Sequence, residues 1–138
     1  MIYKQPMKAI CFSLAVMDFF PQQNKHFAGG NSLNQTIRYR QMGHQSAFVG
    51  ALGTDDAGDR IASLLQAQSV DISHVHRING QTASNKIVND DAGERYSIEG
   101  SWNGGVYDKF ELGNQIGNTS AASMFGQPMR TAQVISNL

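Results

Sequence analysis

Between Ala9 and Val16 every position except Ser13 is apolar, the unbroken run expected of a strand covered on both faces of a parallel sheet. Read as one strand, it continues to Asp18 and delivers that carboxylate to the strand's carboxyl edge, where open α/β sheets hold their ligands. A second buried run, Ser46–Leu52, follows after the pattern has changed twice. Phe19–Phe27 mixes aromatic and polar residues around Pro21 and reads as a loop or an edge strand. Asn31–Met42 carries Leu33, Thr36 and Ile37 at helical spacing, and Gly43 stands where such a helix ends. Beyond the second run, Gly53–Asp56 turns into a helix with Ala57, Ile61, Leu64 and Leu65 on one side; Thr54, Asp55 and Asp56 favour its start as cap and as negative charge at the positive end of the helix dipole. Ile72–Ile78 reads as the next strand. Strand and helix in alternation predict an α/β fold with a mostly parallel sheet flanked by helices.

From Gln81 to Glu99 the helical stripe disappears and polar and apolar residues alternate on either side of Asp90-Asp91-Ala92-Gly93, the pattern of a β-hairpin. Trp102–Gly105 is turn-like, and Val106–Leu112 reads as a short strand or a linker.

Composition removes several classes of function. At 138 residues the chain is one domain by length, and its 11 basic and 11 acidic residues balance with no basic run, so neither nucleic acid nor a membrane surface is an expected partner. The Ala9–Val16 run is too short to span a bilayer and has no persuasive cleavage site behind it, so it reads as a buried strand rather than a signal peptide. The single cysteine, Cys11, has no partner for an internal disulfide and fits a reducing cytoplasm. His74 and His76 are two apart and share a face if that segment is a strand, but two ligands make no metal site, and none is expected.

The chemistry gathers at Ala28-Gly29-Gly30-Asn31-Ser32-Leu33-Asn34. Two glycines let the backbone pass close to a ligand. Asn31 and Asn34 each offer one acceptor and two donors, three residues apart on a helix's first turn, and Asp18 adds an acceptor-only carboxylate. A polyol or sugar uses such a set. The plainer alternative is a strand-to-helix turn in which Asn31 or Ser32 simply caps the helix.

With Gly43 and Gly53 in register downstream, this segment resembles the first signature of the PfkB, or ribokinase-like, carbohydrate kinases, and Asp18 through Gly43 is most similar to the fructoselysine and fructosamine 6-kinase branch. The resemblance runs on through Val49–Gly58, Val70–Val75 and Gly80–Ala83. It implies a partial ribokinase-like fold, a single truncated sugar-kinase domain over 1–138 with its α/β core at about 7–80 and 106–138. Lid strands at about 19–28 and 81–100 would form a small sheet over the sugar. On that alignment Asn118–Phe125 corresponds to a further strand and Met129–Leu138 to a helix. Asp18, Gly29, Gly30, Asn31 and Asn34 would bind a sugar or sugar-amine, with Arg95 reaching it from the lid. An intact relative would transfer a phosphoryl group from ATP, with magnesium, to a sugar hydroxyl at carbon 6.

The family's second signature, Asp-Thr-x-Gly-Ala-Gly-Asp, does not occur in these 138 residues, so the resemblance implies the sugar-binding and lid part of such a kinase, inactive alone, with no catalytic residue and no productively bound cofactor. Ala57-Gly58-Asp59 imitates its end, but Asp56 stands where the first glycine belongs and its charge would repel phosphate. Two further departures are Ser13-Leu14-Ala15, where the family has glycine and then polar residues, and Ser32, where a smaller residue is usual. A different class of function, a non-catalytic sugar-binding or dimerisation module pairing through its lid strands as a homodimer, rests on the exposed hairpin edges expected here.

Overall fold

The computed structural model describes residues 5–110 and 132–136. Its first sheet is parallel throughout and has the order β5-β4-β1-β8, made of β1 (Lys8–Phe12), β4 (Gln45–Gly53), β5 (Val75–Ile78) and β8 (Ala132–Ser136). The second has the order β3-β2-β6-β7, from β2 (Val16–Phe20), β3 (Lys25–Gly29), β6 (Ser84–Asn89) and β7 (Arg95–Ser97). Two helices, α1 (Asn31–Gln41) and α2 (Asp56–Ala67), connect β3 to β4 and β4 to β5.

The β4 run is buried at every position after Gln45, as a strand flanked on both sides by parallel neighbours requires. Phe48 and Leu52 share a core with Leu33 of α1 and with Ile61 and Leu65 of α2, so both amphipathic helices close over this strand. Buried polar groups in this layer are satisfied: the Ser46 hydroxyl donates to the Thr36 carbonyl at 2.8 Å, and the Ser32 hydroxyl to the Phe12 carbonyl at 2.8 Å. Ser32 therefore ties the helix to β1 rather than capping it.

The apolar run Ala9–Val16 is two strands in two sheets, not one. The chain breaks at Ser13, whose φ of 121° lies in a region that side chains with a Cβ rarely adopt. Burial continues across the break, with Ala15, Val16 and Met17 as enclosed as Ile10 and Cys11, so hydrophobicity alone carried no mark of it. Asp18 consequently sits in the middle of β2 in the second sheet, not at the carboxyl edge of a parallel strand. Phe19–Phe27, read as loop or edge strand, is the β2–β3 hairpin with its turn at Pro21–Asn24.

Three further expectations change. The strand expected over Ile72–Ile78 is confined to Val75–Ile78, with Asp71 making only a lone bridge to Ala47. Val106–Leu112 holds neither strand nor linker at its start but a short 3-10 helix, Gly105–Lys109, which buries Val106. Where a helix was expected in Met129–Leu138, Ala132–Ser136 is a strand pairing with all of β1, Ile10 opposite Val134. The strand expected at Asn118–Phe125 lies outside the described residues. The hairpin expected between Gln81 and Glu99 is present as β6 and β7, paired antiparallel.

Candidate functional site

Where the second sheet meets the start of α1, a cavity of about 640 Å³ opens. Asp18 and Phe20, two apart on β2, face it together, while Met17 and Phe19 line a smaller cavity on the other side of the strand. Phe27, Ala28 and Gly29 come from β3, Gly30, Asn31 and Asn34 from the entry to α1, Gln23 from the β2–β3 turn, and Asn89 and Arg95 from the facing ends of β6 and β7. All six residues singled out in the sequence are thus brought to one cavity.

The two glycines serve separate purposes. A Cβ on Gly29 would stand 2.6 Å from Asp18 Oδ2, so its absence leaves the carboxylate its space. Gly30 has φ 102°, and a Cβ there would meet the Leu14 carbonyl oxygen at 2.5 Å; this position needs glycine for its backbone and for close passage over the Ser13 break. Gly43 and Gly53 of the same signature lie away from the cavity. Gly43 ends α1 with φ 85°, and Gly53 ends β4 against the backbone of Gly80–Thr82.

The helix-cap alternative does not describe α1. Its N-cap is Gly30, no side chain caps it, and among the described residues the Asn31 and Asn34 side chains make no hydrogen bond. Both are exposed at the cavity with their donors and acceptors free. Asp18 likewise accepts no hydrogen bond from a described residue. Burial raises its carboxyl above the ordinary carboxylate value, a shift that the nearby Arg95 guanidinium opposes. Arg95 itself lies over the Phe20 ring, 5.0 Å from its centroid, and Phe20 is held edge-on to Phe27 at 5.4 Å. Tyr96, next to Arg95 on β7, does not line the cavity; adjacent strand residues face opposite ways.

Sequence reasoning missed Asn89 and Gln23. Asn89 Oδ1 is buried without a hydrogen-bond partner. Its backbone is gripped by Gln22, whose side chain donates to the Asn89 carbonyl and accepts from its N–H, each at 3.0 Å. The sequence signal was slight, an Asn immediately before a turn.

The imitation of the second signature at Gly53–Asp59 is a structural joint. Asp55 caps α2, accepting from Gly58 N at 3.0 Å, and also accepts from Thr82 N at 2.9 Å and the Thr82 hydroxyl at 2.6 Å. Burial by itself would raise this carboxyl, but the bonds from Thr82 and Gly58 outweigh it and leave it below the ordinary value. Arg77 bonds the Gly53 carbonyl at 3.1 Å and pairs with Asp59 at 2.5 Å. A turn already filled by its own carboxylate has no place for phosphate.

The pfkB family carbohydrate kinase model matches residues 8–125. A fructoselysine 6-kinase of Escherichia coli is 33% identical over 99 residues, covering 72% of this chain and 37% of the relative. A fructosamine kinase of Bacillus subtilis is 26% identical over 132 residues, covering 96% of this chain and 45% of the relative. The crystal structure of a fructokinase from Xylella fastidiosa with bound ATP superposes with TM-score 0.57 and 25% identity over 68% of this chain and 33% of that one. The chain spans less than half the length of the curated relatives it matches.

Proposed function

The chain belongs to the pfkB family of carbohydrate kinases, with the ribokinase-like α/β architecture, and from that premise we propose that its cavity binds the sugar of a fructosamine-type ketose amine. The observation that carries the reading is the convergence of unpaired polar groups. Asp18, Asn31 and Asn34 bring acceptors and donors to one space, with Gly29 clearing room for the carboxylate. Hydroxyl groups on adjacent carbons answer such a set, each hydrogen bond contributing about 0.5–1.5 kcal/mol net. Phe20 and Phe27 give the apolar wall that carbohydrate carbon faces pack on.

The whole protein's activity, in this proposal, is transfer of the γ-phosphoryl group of ATP, with magnesium, to the hydroxyl at carbon 6. The 138 residues supply the sugar side of that reaction and the lid, and no catalytic base. A cytoplasmic setting agrees with Cys11 as a buried free thiol. The test is calorimetric titration of the chain with fructoselysine beside an ADP-release assay. The proposal expects a saturable isotherm without sugar-dependent ADP release; release at ordinary kinase rates would contradict the division of labour.

A second reading, a homodimer through the lid strands, has its own support. Among the described residues β3 and β7 are free sheet edges, and Phe27, Tyr96, Ile98 and Trp102, each at least 36% exposed, sit in or beside that sheet. A molecular mass by light scattering twice that of the monomer supports it, and a monomer at all concentrations removes it.

A further inference from the structure

We infer that Tyr107 is a positioning residue for the sugar cavity, its hydroxyl holding the strained Ser13 in the backbone conformation that sets Asp18 against Asn31 and Asn34. The inference rests on the sugar reading above and adds a residue that lies outside the cavity. Where the resemblance to the family expects glycine this chain has Ser13, and glycine has no hydroxyl to be held, so the tie belongs to this chain. The chain passes between the two sheets at Ser13–Ala15, at Gly30, at Asn79–Ala83 and after β7. The first two passages lie against each other: a Cβ on Gly30 would meet the Leu14 carbonyl oxygen at 2.5 Å and Ala15 Cα at 3.2 Å. Asp18 leaves the first on β2, while Asn31 and Asn34 follow the second on α1. The dihedrals at Ser13 therefore set the place of the carboxylate relative to the amides.

The later passages are fastened by backbone. Ser84 and Asn103 exchange both N–H to carbonyl bonds, at 2.8 and 2.9 Å, Val106 N–H donates to the Gln81 carbonyl at 2.8 Å, and Thr82 is fixed by the Asp55 joint. Ser13 has less to hold it. Its φ of 121° is costly for a residue with a Cβ and persists only where the surroundings impose it. Among the described residues three things do so. The Ser13 carbonyl packs on Gly50, where a Cβ would stand 2.8 Å from it, and Ser13 N–H donates to the Val49 carbonyl at 3.2 Å. The third is the hydrogen bond between the Ser13 and Tyr107 hydroxyls at 3.0 Å. Ser13 is buried, which keeps water from taking the place of the tyrosine. Tyr107 stands on the 3-10 helix Gly105–Lys109, anchored by the buried Val106, so its hydroxyl ties the first passage to the last. Without that hydroxyl the strain at Ser13 is free to relax. The fraction of molecules with Asp18 in place against the amides then falls, and the apparent affinity falls with it.

The experiment titrates the chain with fructoselysine and repeats the titration on Tyr107→Phe, Ser13→Ala and Ser13→Gly, and on Tyr107→Phe combined with each change at Ser13. Tyr107→Phe and Ser13→Ala keep the carbon framework and remove only the hydrogen bond. Each is expected to weaken binding about fivefold, and the two together no further than either alone, since both break the same bond. Ser13→Gly removes the bond and the strain together, so it is expected to bind within about twofold of the unsubstituted chain and to restore binding when added to Tyr107→Phe. A hydroxyl with only a structural role would change unfolding stability and leave these affinity ratios unmoved. Unchanged affinity in Tyr107→Phe overturns the inference while leaving the sugar reading in place. So do additive losses from Ser13→Ala and Tyr107→Phe, or a combined Ser13→Gly and Tyr107→Phe variant that binds as weakly as Tyr107→Phe alone. If the unsubstituted chain binds no fructoselysine, the sugar reading falls and this inference falls with it.

Discussion

Asp18 and Asp55 both stand among glycines near the start of a helix, and their surroundings are opposite. Asp55 accepts three hydrogen bonds from Thr82 and Gly58, which together hold its carboxyl below the ordinary value. Asp18 is partly buried with none from a described residue, and burial pushes its carboxyl up. Around Asp55, Thr82 and Gly58 fill the carboxylate, and Gly53 and Gly58 are pressed against backbone; around Asp18 the amides of Asn31 and Asn34 are open and Gly29 keeps a space clear. A saturated aspartate is a joint, here fastening α2 to the segment that enters the second sheet. An unsaturated one, held at a cost to the fold, is in the proposed reading a binding group.

The largest effect separating the two regions belongs to the joint. Asp55→Ala removes the cap of α2 and leaves the buried Thr82 N–H without its acceptor, and is expected to lower stability by about 3 kcal/mol. Chemical denaturation measures it, and sugar affinity of the molecules still folded should not move. Next comes Asp18→Ala, expected to weaken sugar binding by about 100-fold with unfolding stability unchanged or slightly raised; a large stability loss here would erase the distinction between the two aspartates. Asn34→Ala should cost about tenfold in affinity and nothing in stability, because its side chain bonds no described residue.

Smaller is Ser13→Gly. Relief of the φ 121° strain exceeds the loss of the 3.0 Å hydroxyl contact with Tyr107, for a gain of about 1 kcal/mol in thermal or denaturant stability. The finest test is the pH dependence of stability, where the two carboxyls have opposite signs. Asp55, lowered on folding, stabilises above the ordinary carboxylate value, and that contribution is lost as pH falls through its folded value. Asp18, raised on folding, favours the fold below the ordinary value and loses that contribution as pH rises through its folded value. Asp18→Asn should therefore remove a falling component of the stability profile at mildly acid pH, and Asp55→Asn a rising one.

What the sequence made legible follows the same division. α1 and α2 announced themselves because Leu33, Ile61 and Leu65 fall at helical spacing and bury accordingly, and β4 because its apolar run is central in a parallel sheet. The cavity's core set, Asp18 with Gly29, Gly30, Asn31 and Asn34, was visible because glycines and amides cluster within a few residues. The Ser13 break was not visible: strands on both sides of it are buried, so the apolar run passes through a change of sheet with one serine as its mark. Nor was the place of Asn89, which joins the cavity only when a hairpin 50 residues or more from the glycine pair is folded over it. The helix expected after Met129 failed because composition there is neutral and pairing with β1 decides the matter.

The most direct test of the account is a calorimetric titration of the chain with fructoselysine, run side by side with Asp18→Ala and Asp55→Asn. A saturable one-to-one isotherm that disappears in Asp18→Ala and persists in Asp55→Asn is the predicted result. An isotherm indifferent to Asp18, or no saturable heat from the unsubstituted chain, would contradict the assignment of this cavity to sugar.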